Sequence, residues 1–317
     1  MSAPEIRGRR VCVTGGAGFI GSHLVEALVP ENDVVVLDDC SNGRPERLPD
    51  EVTLIEGDIR DARHLDRALS GADVVFHQAG LVGVEQSVRE PVRTNCVNVG
   101  ATVSLLEYAR RNDARVVLAS SAAVYGDPAS TPVAEDDPKR PTSPYGVDKL
   151  AADQYARVFA DVYDLPTVAL RYFNVYGPGQ RASAYSAVVS TYLDRVATGE
   201  PLVVNGDGRQ TRDFVHVSDV VRANLLAATT DRTGRAYNVG SGESITIRGL
   251  AELFCDLTDR TPRIRHTDPR PGDVSHSQAD LSRAREDLAF RPTVPLRDGI
   301  NELLADVDSP ATDIATE

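Results

Sequence analysis

The sequence predicts an α/β protein with a doubly wound parallel sheet, and three observations support this prediction. Apolar runs typical of buried strands alternate with amphipathic helical segments through the first half of the chain. A glycine-rich turn joins the first strand to the first helix, and an acidic residue ends the second strand. The length of 317 residues exceeds that of a usual single core, so a smaller second domain is expected as well.

The predicted elements follow one another along the chain. Strands are expected at Val11–Val13, Val34–Leu37, Val52–Ile55, Val74–Phe76, Val116–Leu118, Thr167–Leu170, Asp213–Val217 and Ala236–Val239. Helices are expected at 19–29, 61–69, 92–111, 147–163, 184–198 and 218–229. The pattern predicts a Rossmann domain at 1–178 with its sheet completed by 213–240, a substrate-binding domain at 179–212 and 241–305, and a flexible tail at 306–317.

The glycine turn has the context of a dinucleotide-binding site. Residues 16–21 read G-x-G-x-x-G, directly after an apolar strand and at the start of an amphipathic segment. Such a turn lets backbone N–H groups approach a pyrophosphate at a helix N-terminus. Asp38, about 20 residues further on, would accept hydrogen bonds from the adenosine ribose. Asp38 and Asp39 would repel a 2′-phosphate, so the predicted cofactor is NAD rather than NADP. The alternative is an ordinary strand–turn–helix packing unit.

Composition excludes several classes of partner. A net charge of −13 argues against nucleic acid and anionic membranes. No apolar run approaches the length of a membrane span, and the first residues lack the apolar core of a signal peptide, so a cytoplasmic protein is expected. The scattered cysteines Cys12, Cys40, Cys96 and Cys255 predict reduced thiols and no metal site.

The chemistry is predicted at Tyr145 and Lys149, which form a Y-x-x-x-K motif. Side chains four residues apart project from one face of a helix, so the ammonium can sit near the phenol and lower its pKa. Ser120 and Ser121 end the fifth strand, where ligands of an open α/β sheet bind. The alternatives are a solvated helix face for the first pair and capping of a strand end for the serines.

These motifs make the chain similar to the NAD-dependent epimerase/dehydratase group of extended short-chain dehydrogenases/reductases, and within it to the UDP-glucose 4-epimerases. The similarity spans roughly residues 9–305 and rests on motifs at 14–21, 38–43, 57–59, 98–102, 120–126, 145–149, 171–178, 206–214 and 270–273. It implies NAD as cofactor, a UDP-hexose as substrate, and interconversion of UDP-glucose and UDP-galactose. A homodimer joined by the helices near 92–111 and 147–163 is also implied.

The resemblance assigns roles to individual residues. Ser121 and Tyr145 would be the catalytic pair, with Lys149 assisting. Asp58 and Ile59 would flank the adenine. The full set of expected cofactor contacts is Gly15, Gly18, Phe19, Ile20, Gly21, Asp38, Asp39, Ser41, Asn42, Gly43, Asp58, Ile59, Ala79, Asn98, Tyr145, Lys149 and Tyr172. The expected substrate contacts are Ser121, Asn174, Arg212, Arg270, Asp273 and Ser277.

Departures from the family pattern help to choose the reaction. Dehydratases of this group place an Asp–Glu pair, and decarboxylases a Glu, where this chain has Ala122 and Ala123. Alanine cannot act as an acid or a base, so a 4-epimerase is expected. Ala101 replaces a usual glycine, Gly179 a usual arginine, and Val82 a lysine found in some relatives. A net oxidoreductase and a non-catalytic nucleotide sensor remain the alternatives from other classes.

The basic residues carry a separate signal, because Lys139 and Lys149 are the only lysines among 34 basic residues. An acidic chain almost without lysine indicates a halophilic protein, although a GC-rich genome also favours arginine.

Added salt is therefore expected to stabilise the fold. With 47 acidic residues against 34 basic ones, self-repulsion should be screened in molar KCl, where the Debye length is about 3 Å, and should persist at 0.01 M, where it is about 30 Å. Thermal unfolding across this range measures the effect. A melting temperature that is equal or higher in dilute buffer would contradict the halophilic interpretation.

Overall fold

The computed structural model describes residues 6–180, 188–258, 260, 262–270 and 273–308. Within them the strands are β1 Arg10–Thr14, β2 Asp33–Asp38, β3 Thr53–Glu56, β4 Val74–His77, β5 Arg115–Ser121, β6 Thr167–Tyr172, β7 Asn174–Tyr176, β8 Leu202–Asn205, β9 Thr211–Arg212, β10 Phe214–His216, β11 Arg235–Val239, β12 Ile245–Thr246 and β13 Ile264–Thr267. The helices are α1 Phe19–Leu28, α2 Ala62–Leu69, α3 Val84–Arg89, α4 Pro91–Asn95, α5 Ala101–Arg111, α6 Pro144–Tyr163, α7 Val188–Thr198, α8 Val217–Thr229, α9 Ile247–Leu257, α10 Ser282–Leu288 and α11 Leu296–Asp308.

Seven parallel strands form the main sheet in the order β11-β6-β5-β4-β1-β2-β3. The order reverses around β1, as in a doubly wound Rossmann fold. Apolar side chains of α1 and α8 cover one face, and those of α2 and α5 cover the other. The predicted fold class is confirmed, and so is the return of the chain to the main sheet at 236–239.

A smaller unit packs beside the C-terminal half of this sheet. Its core contains side chains of α7, α9 and α11 together with Tyr176 and Phe214. The strand predicted at Asp213–Val217 does not join the main sheet. It forms β10, which pairs with β7 in a separate parallel ribbon, because β11 occupies the edge beside β6. The two units are therefore interleaved at 174–216.

Asp213 ties the two units together. Its buried carboxylate accepts hydrogen bonds from the backbone N–H groups of Ser241 at 2.6 Å, Gly242 at 3.0 Å and Ala279 at 3.0 Å. Its backbone carbonyl accepts from Asn174. Burial raises the pKa of the Asp213 carboxyl, while these donors oppose the shift.

Three other predicted segments differ in detail. The single helix predicted at 92–111 is interrupted by a π-helical turn at Cys96–Gly100. The final helix reaches Asp308, which is three residues into the segment predicted to be a flexible tail; residues 309–317 lie outside the described residues. The predicted helix at 184–198 is described from Val188 onward, and 184–187 lie outside.

The carboxyl ends of β1 and β4 are joined to the π turn by a buried chain of hydrogen bonds. The hydroxyl of Thr14 lies 2.8 Å from His77 Nδ1, and His77 Nε2 lies 2.9 Å from the Thr102 hydroxyl. Thr102 in turn donates to the Asn98 carbonyl at 2.7 Å. Since the Thr102 proton is used there, His77 must donate from Nε2 and accept from Thr14 at Nδ1. Burial lowers the pKa of His77 to about 3, which keeps it neutral in this role.

Within the described part of the chain, no helix combines the length and apolar character needed to cross a membrane.

Candidate active site

A cavity of about 780 Å³ opens at the carboxyl ends of the central strands. This volume lies within the range of small-molecule and cofactor pockets. Most of the residues predicted as cofactor or catalytic contacts line it together: Gly15, Gly18, Phe19, Ile20, Gly21, Asp38, Asp39, Ser41, Asn42, Gly43, Asp58, Ile59, Ala79, Ser121, Tyr145, Lys149 and Tyr172.

The glycine turn fits a close ligand because its own backbone is tightly packed. A Cβ atom at Gly21 would lie 2.0 Å from the carbonyl oxygen of Gly15, so the turn and α1 can approach only with glycine there. The helix then begins at Phe19 with no acidic residue in its first turn. Free N–H groups at this end, and the absence of a repelling carboxylate, suit the pyrophosphate of a dinucleotide.

Asp38 stands at the end of β2 beside this turn. Its carboxylate oxygens accept hydrogen bonds from the backbone N–H groups of Ala17 at 2.9 Å and Cys40 at 2.8 Å. Burial raises the pKa of the Asp38 carboxyl, and the two N–H donors act against that rise. Each carboxylate oxygen keeps a second lone pair that can accept from a ribose hydroxyl.

At the other end of the same wall, Asp58 is held by Arg60. The Arg60 Nε donates to the Asp58 carboxylate at 2.9 Å, and this pairing lowers the pKa of Asp58. Ile59 beside it is buried and apolar, as a surface against an adenine ring would be. Asp39 is exposed and accepts from the Ser41 hydroxyl at 2.6 Å.

Tyr145 lies in the first turn of α6, and the local sequence explains why the helix begins there. The Ser143 side chain caps the helix by accepting from the Gly146 N–H at 3.1 Å, and Pro144 occupies the first helical position. Ser87 accepts from the Tyr145 backbone N–H at 3.1 Å and fixes the turn further. The phenol is hydrogen-bonded to the Ser121 side chain at the end of β5.

Lys149 lies one turn further along the same helix. Its ammonium donates to the Ala119 carbonyl at 2.9 Å. Burial lowers the pKa of Lys149 to about 8, and the neighbouring carboxylate of Asp148 resists that shift. In this structure burial raises the pKa of the Tyr145 phenol, with the Ser121 hydrogen bond as the opposing influence. The expected lowering by Lys149 is therefore not found, because the desolvation of the phenol dominates.

Asn98 and Tyr172 are engaged by the protein itself. Asn98 does not line the cavity; its side chain accepts from the Leu81 N–H at 2.8 Å and donates to the Leu81 carbonyl at 2.9 Å. It thereby holds the loop after β4 that forms one wall. The Tyr172 hydroxyl accepts from Asn224 at 2.8 Å and from Gln78 at 3.2 Å, which fixes its ring in the cavity wall.

The five substrate contacts other than Ser121 lie outside the cavity wall: Asn174, Arg212, Arg270, Asp273 and Ser277. The Asn174 side chain donates to the Asp213 carbonyl at 3.1 Å. Arg212 forms an ion pair with Asp273, and Arg270 forms one with Glu85. The structure thus brings Arg212 and Asp273 together, and it gives Arg270 a partner on α3.

Several wall residues carry little or no signal in the sequence. Gln78, Gln86, Arg44, Arg47 and Gln180 line the cavity from loops whose contacts depend on the fold. The polar run after Gly43 gives only a weak sign for the two arginines. Among the described residues, no group of three His, Cys, Asp or Glu side chains is arranged to hold a metal ion.

A phenol in a cavity that is also lined by a glycine turn, with an ammonium one helical turn away, is the arrangement of the short-chain dehydrogenases/reductases. The chain belongs to the NAD-dependent epimerase/dehydratase family, whose model matches residues 11–240.

Known relatives cover nearly the whole chain. A UDP-glucose 4-epimerase of Mycolicibacterium smegmatis is 38% identical over 92% of this chain and 96% of its own length. A UDP-N-acetylglucosamine 4-epimerase of Methanobrevibacter ruminantium, solved with UDP-N-acetylmuramic acid, has a TM-score of 0.90 at 38% identity and covers 95% of this chain and 98% of that one. The UDP-glucose 4-epimerase of Thermus thermophilus, solved with NAD, has a TM-score of 0.88 at 36% identity, with coverage of 94% and 98%.

The buried phenol leads to a direct test of its role. We expect Tyr145→Phe to lower kcat by about 10²–10⁴-fold, since the ring stays in place while the only proton-accepting atom is lost. Thermal unfolding and NAD binding should match the wild type, because the substitution keeps the buried ring and removes a hydroxyl that is hydrogen-bonded to Ser121. Ser121→Ala should cost less, since water can replace its hydroxyl. Near-normal turnover of Tyr145→Phe would exclude Tyr145 as the base.

Proposed function

We propose that this chain is a nucleotide-sugar 4-epimerase that interconverts UDP-glucose and UDP-galactose with tightly bound NAD, and that it also accepts the N-acetylated pair. The observation that carries the proposal is the composition of the wall around Tyr145. The phenol, the Ser121 hydroxyl and the Lys149 ammonium are groups there that can handle a proton, and Ala122 and Ala123 follow Ser121 in a short 3₁₀ turn.

The turn at Ala122 decides between reactions of the same family. Elimination of water across C5–C6 of the sugar needs an acid and a base beside the ring, and methyl groups provide neither. Epimerisation needs only reversible oxidation at C4 and rotation of the keto sugar about its diphosphate link. The available groups therefore suffice for an epimerase and do not suffice for a dehydratase.

Each residue has a distinct task in this reaction. Tyr145 takes the proton from the C4 hydroxyl and later returns it to the C4 oxygen of the rotated keto sugar. Ser121 shares a hydrogen bond with the phenol and moves the proton between oxygen atoms. Lys149, anchored at the Ala119 carbonyl, keeps a positive charge beside the phenol as it ionises. Bound NAD⁺ supplies the hydride acceptor and a second positive charge. The rise in the pKa of Tyr145 caused by burial is what these two charges must overcome.

The comparisons support the reaction and the cofactor. The relatives quoted above are named as 4-epimerases of UDP-glucose or UDP-N-acetylglucosamine, and one was solved with NAD. Family resemblance alone does not select the sugar, because the same fold carries several reactions.

The proposed tolerance for N-acetyl groups rests on Ser277. This half-buried residue follows Asp273 in the loop that faces β9, and its N–H contacts the Thr211 hydroxyl at 3.4 Å. By family resemblance the position flanks the sugar C2 substituent, where a tyrosine restricts the pocket to hexoses without an acetamido group. A serine leaves space there.

The test is an incubation of the purified protein with UDP-glucose, UDP-galactose and their N-acetylated counterparts, with product stereochemistry read by NMR. We expect both pairs to be interconverted without net change in nicotinamide absorbance. Ser277→Tyr should abolish turnover of the N-acetylated pair and preserve that of the other, and Ser277→Ala is the matched control that should retain both.

Two results would contradict these expectations. A steady change in nicotinamide absorbance with substrate would indicate a net oxidoreductase instead of an epimerase. If the wild type ignores UDP-N-acetylglucosamine and Ser277→Tyr behaves identically, the selecting residue lies elsewhere and the broader substrate range is wrong.

We also propose a homodimer joined through α4 and α6. Val92 on α4 is 76% exposed, and Val158 and Val162 on α6 are 47% and 62% exposed, although each is apolar. Val88 on α3 and Val147 on α6 are exposed as well, and both α3 and α4 pack against α6. Exposed apolar side chains on neighbouring helices are typical of interaction sites. The surface matches the helices predicted to join the subunits.

Val162→Asp should shift the protein from dimer to monomer, because it places a charge within the proposed contact. Val162→Leu keeps the surface apolar and should remain dimeric. Sedimentation velocity distinguishes the two states, and a wild-type protein that sediments as a monomer at micromolar concentration would refute the proposal.

A further inference from the structure

Two arginines in the cavity wall have no carboxylate partner among the described residues. Arg44 and Arg47 line the cavity, and neither takes part in an ion pair. The other wall arginines are neutralised, Arg60 by Asp58 and Arg93 by Glu90. Arg44 and Arg47 both belong to a chain with a net charge of −13. The two guanidinium groups therefore place positive charge at the cavity, where it can attract an anionic ligand.

The side chain of Arg44 is held close to the glycine turn. Its backbone N–H donates to the Ala17 carbonyl at 2.8 Å, which fixes residue 44 against the segment that leads into α1. Its Nε is buried and has no hydrogen-bond partner. A buried guanidinium N–H without an acceptor is costly, and an anionic ligand would satisfy it.

Arg47 approaches the same cavity beside Gly179. Its guanidinium donates to the Gly179 carbonyl at 3.4 Å across 132 positions of sequence. Gly179 has a φ of +81°, and a Cβ atom there would lie 2.0 Å from Arg47 Nη1. A side chain at position 179 would displace the guanidinium from this place, and the left-handed backbone there also favours glycine.

We propose that Arg44 and Arg47 form a phosphate-binding pair for the diphosphate of the bound dinucleotide, an assignment that rests on the proposed function. Guanidinium groups bind phosphate oxygens through two parallel hydrogen bonds. The N–H groups at the start of α1 would hold the diphosphate together with the two arginines, which come from the segment after Gly43. The pair retains the cofactor between catalytic cycles.

The sugar nucleotide also carries a diphosphate, so the two sources must be separated. The link between Arg44 and Ala17 favours the cofactor, because Ala17 belongs to the dinucleotide turn. The residues expected to bind the sugar nucleotide, such as Arg212 and Asp273, lie outside the cavity wall that contains the pair.

The experiment compares ligands with and without phosphate on the wild type, Arg44→Ala, Arg47→Ala and the double variant. Calorimetry measures the affinity of each for ADP-ribose and for adenosine, and a chase with unlabelled NAD⁺ measures release of bound label. We expect each substitution to weaken ADP-ribose binding about tenfold, the size of one charge-assisted contact, and to accelerate NAD⁺ release comparably. Adenosine affinity should stay within about twofold in all variants, since phosphate contacts are absent there.

Arg248→Ala is the matched control, because it removes an exposed arginine paired with Glu252 on α9 and changes net charge equally. It should bind ADP-ribose as the wild type does. Equal loss in this control would assign the effect to overall charge and overturn the proposal. So would a loss of adenosine affinity as large as that of ADP-ribose, or unchanged ADP-ribose binding in the double variant.

Binding of UDP distinguishes the diphosphate of the cofactor from that of the sugar nucleotide. Unchanged UDP affinity in the double variant supports the assignment to the cofactor. A fall in UDP affinity with unchanged ADP-ribose binding would assign the arginine pair to the substrate and refute the proposal. Failure of the proposed function would be seen separately, as a wild-type protein that epimerises no sugar. If that protein still binds ADP-ribose with this phosphate dependence, the assignment of the arginine pair remains valid.

Discussion

One buried imidazole determines how the walls of the active site meet. His77 receives a hydrogen bond from Thr14 at the end of β1 and gives one to Thr102 behind the π turn, so a single neutral ring connects two strands and a helix. Through Asn98 the same chain reaches the loop at Leu81. The ring stays neutral because it is buried and lies close to the Lys149 ammonium, and both of these lower its pKa. The glycine turn and the opposite wall are thus positioned by one set of protein–protein hydrogen bonds.

The parts of the site that were predictable from sequence are those built from local geometry. The glycine turn, Asp38 and the Tyr145–Lys149 pair depend on spacing within one turn or one helix, and all line the cavity. Asn174, Arg212, Arg270, Asp273 and Ser277 depend on how distant loops pack, and the structure places them outside the wall. The prediction that the strand at 214–216 completes the main sheet was wrong for a similar reason. Its pairing depends on the fact that β11 already occupies the sheet edge beside β6.

The pKa values and charge distribution of the site were the properties least predictable from the sequence. Sequence spacing correctly puts Lys149 one turn from Tyr145, but the pKa of the phenol depends on burial and on Ser121, which spacing does not reveal. The arginine pair is a second example. Gly179 departs from an arginine usual in the family, and the guanidinium beside it comes from Arg47, 132 positions earlier in the chain. The positive charge beside position 179 is therefore present in this chain, although a different residue provides it. The sequence does not show this, because Arg47 and Gly179 meet only in the folded chain.

Because lysine is scarce in this chain, a reagent that reacts with lysine can report on the active site. An amine-directed acylating reagent meets two lysine side chains in 317 residues, and one of them, Lys149, belongs to the cavity wall. Burial lowers its pKa to about 8, so a substantial fraction is the nucleophilic free amine in mildly alkaline buffer. Lys139, half-buried and outside that wall, serves as an internal reference. The ratio of acylation at the two positions, read by mass spectrometry, therefore reports how much of the protein has its cavity covered, without any engineered label.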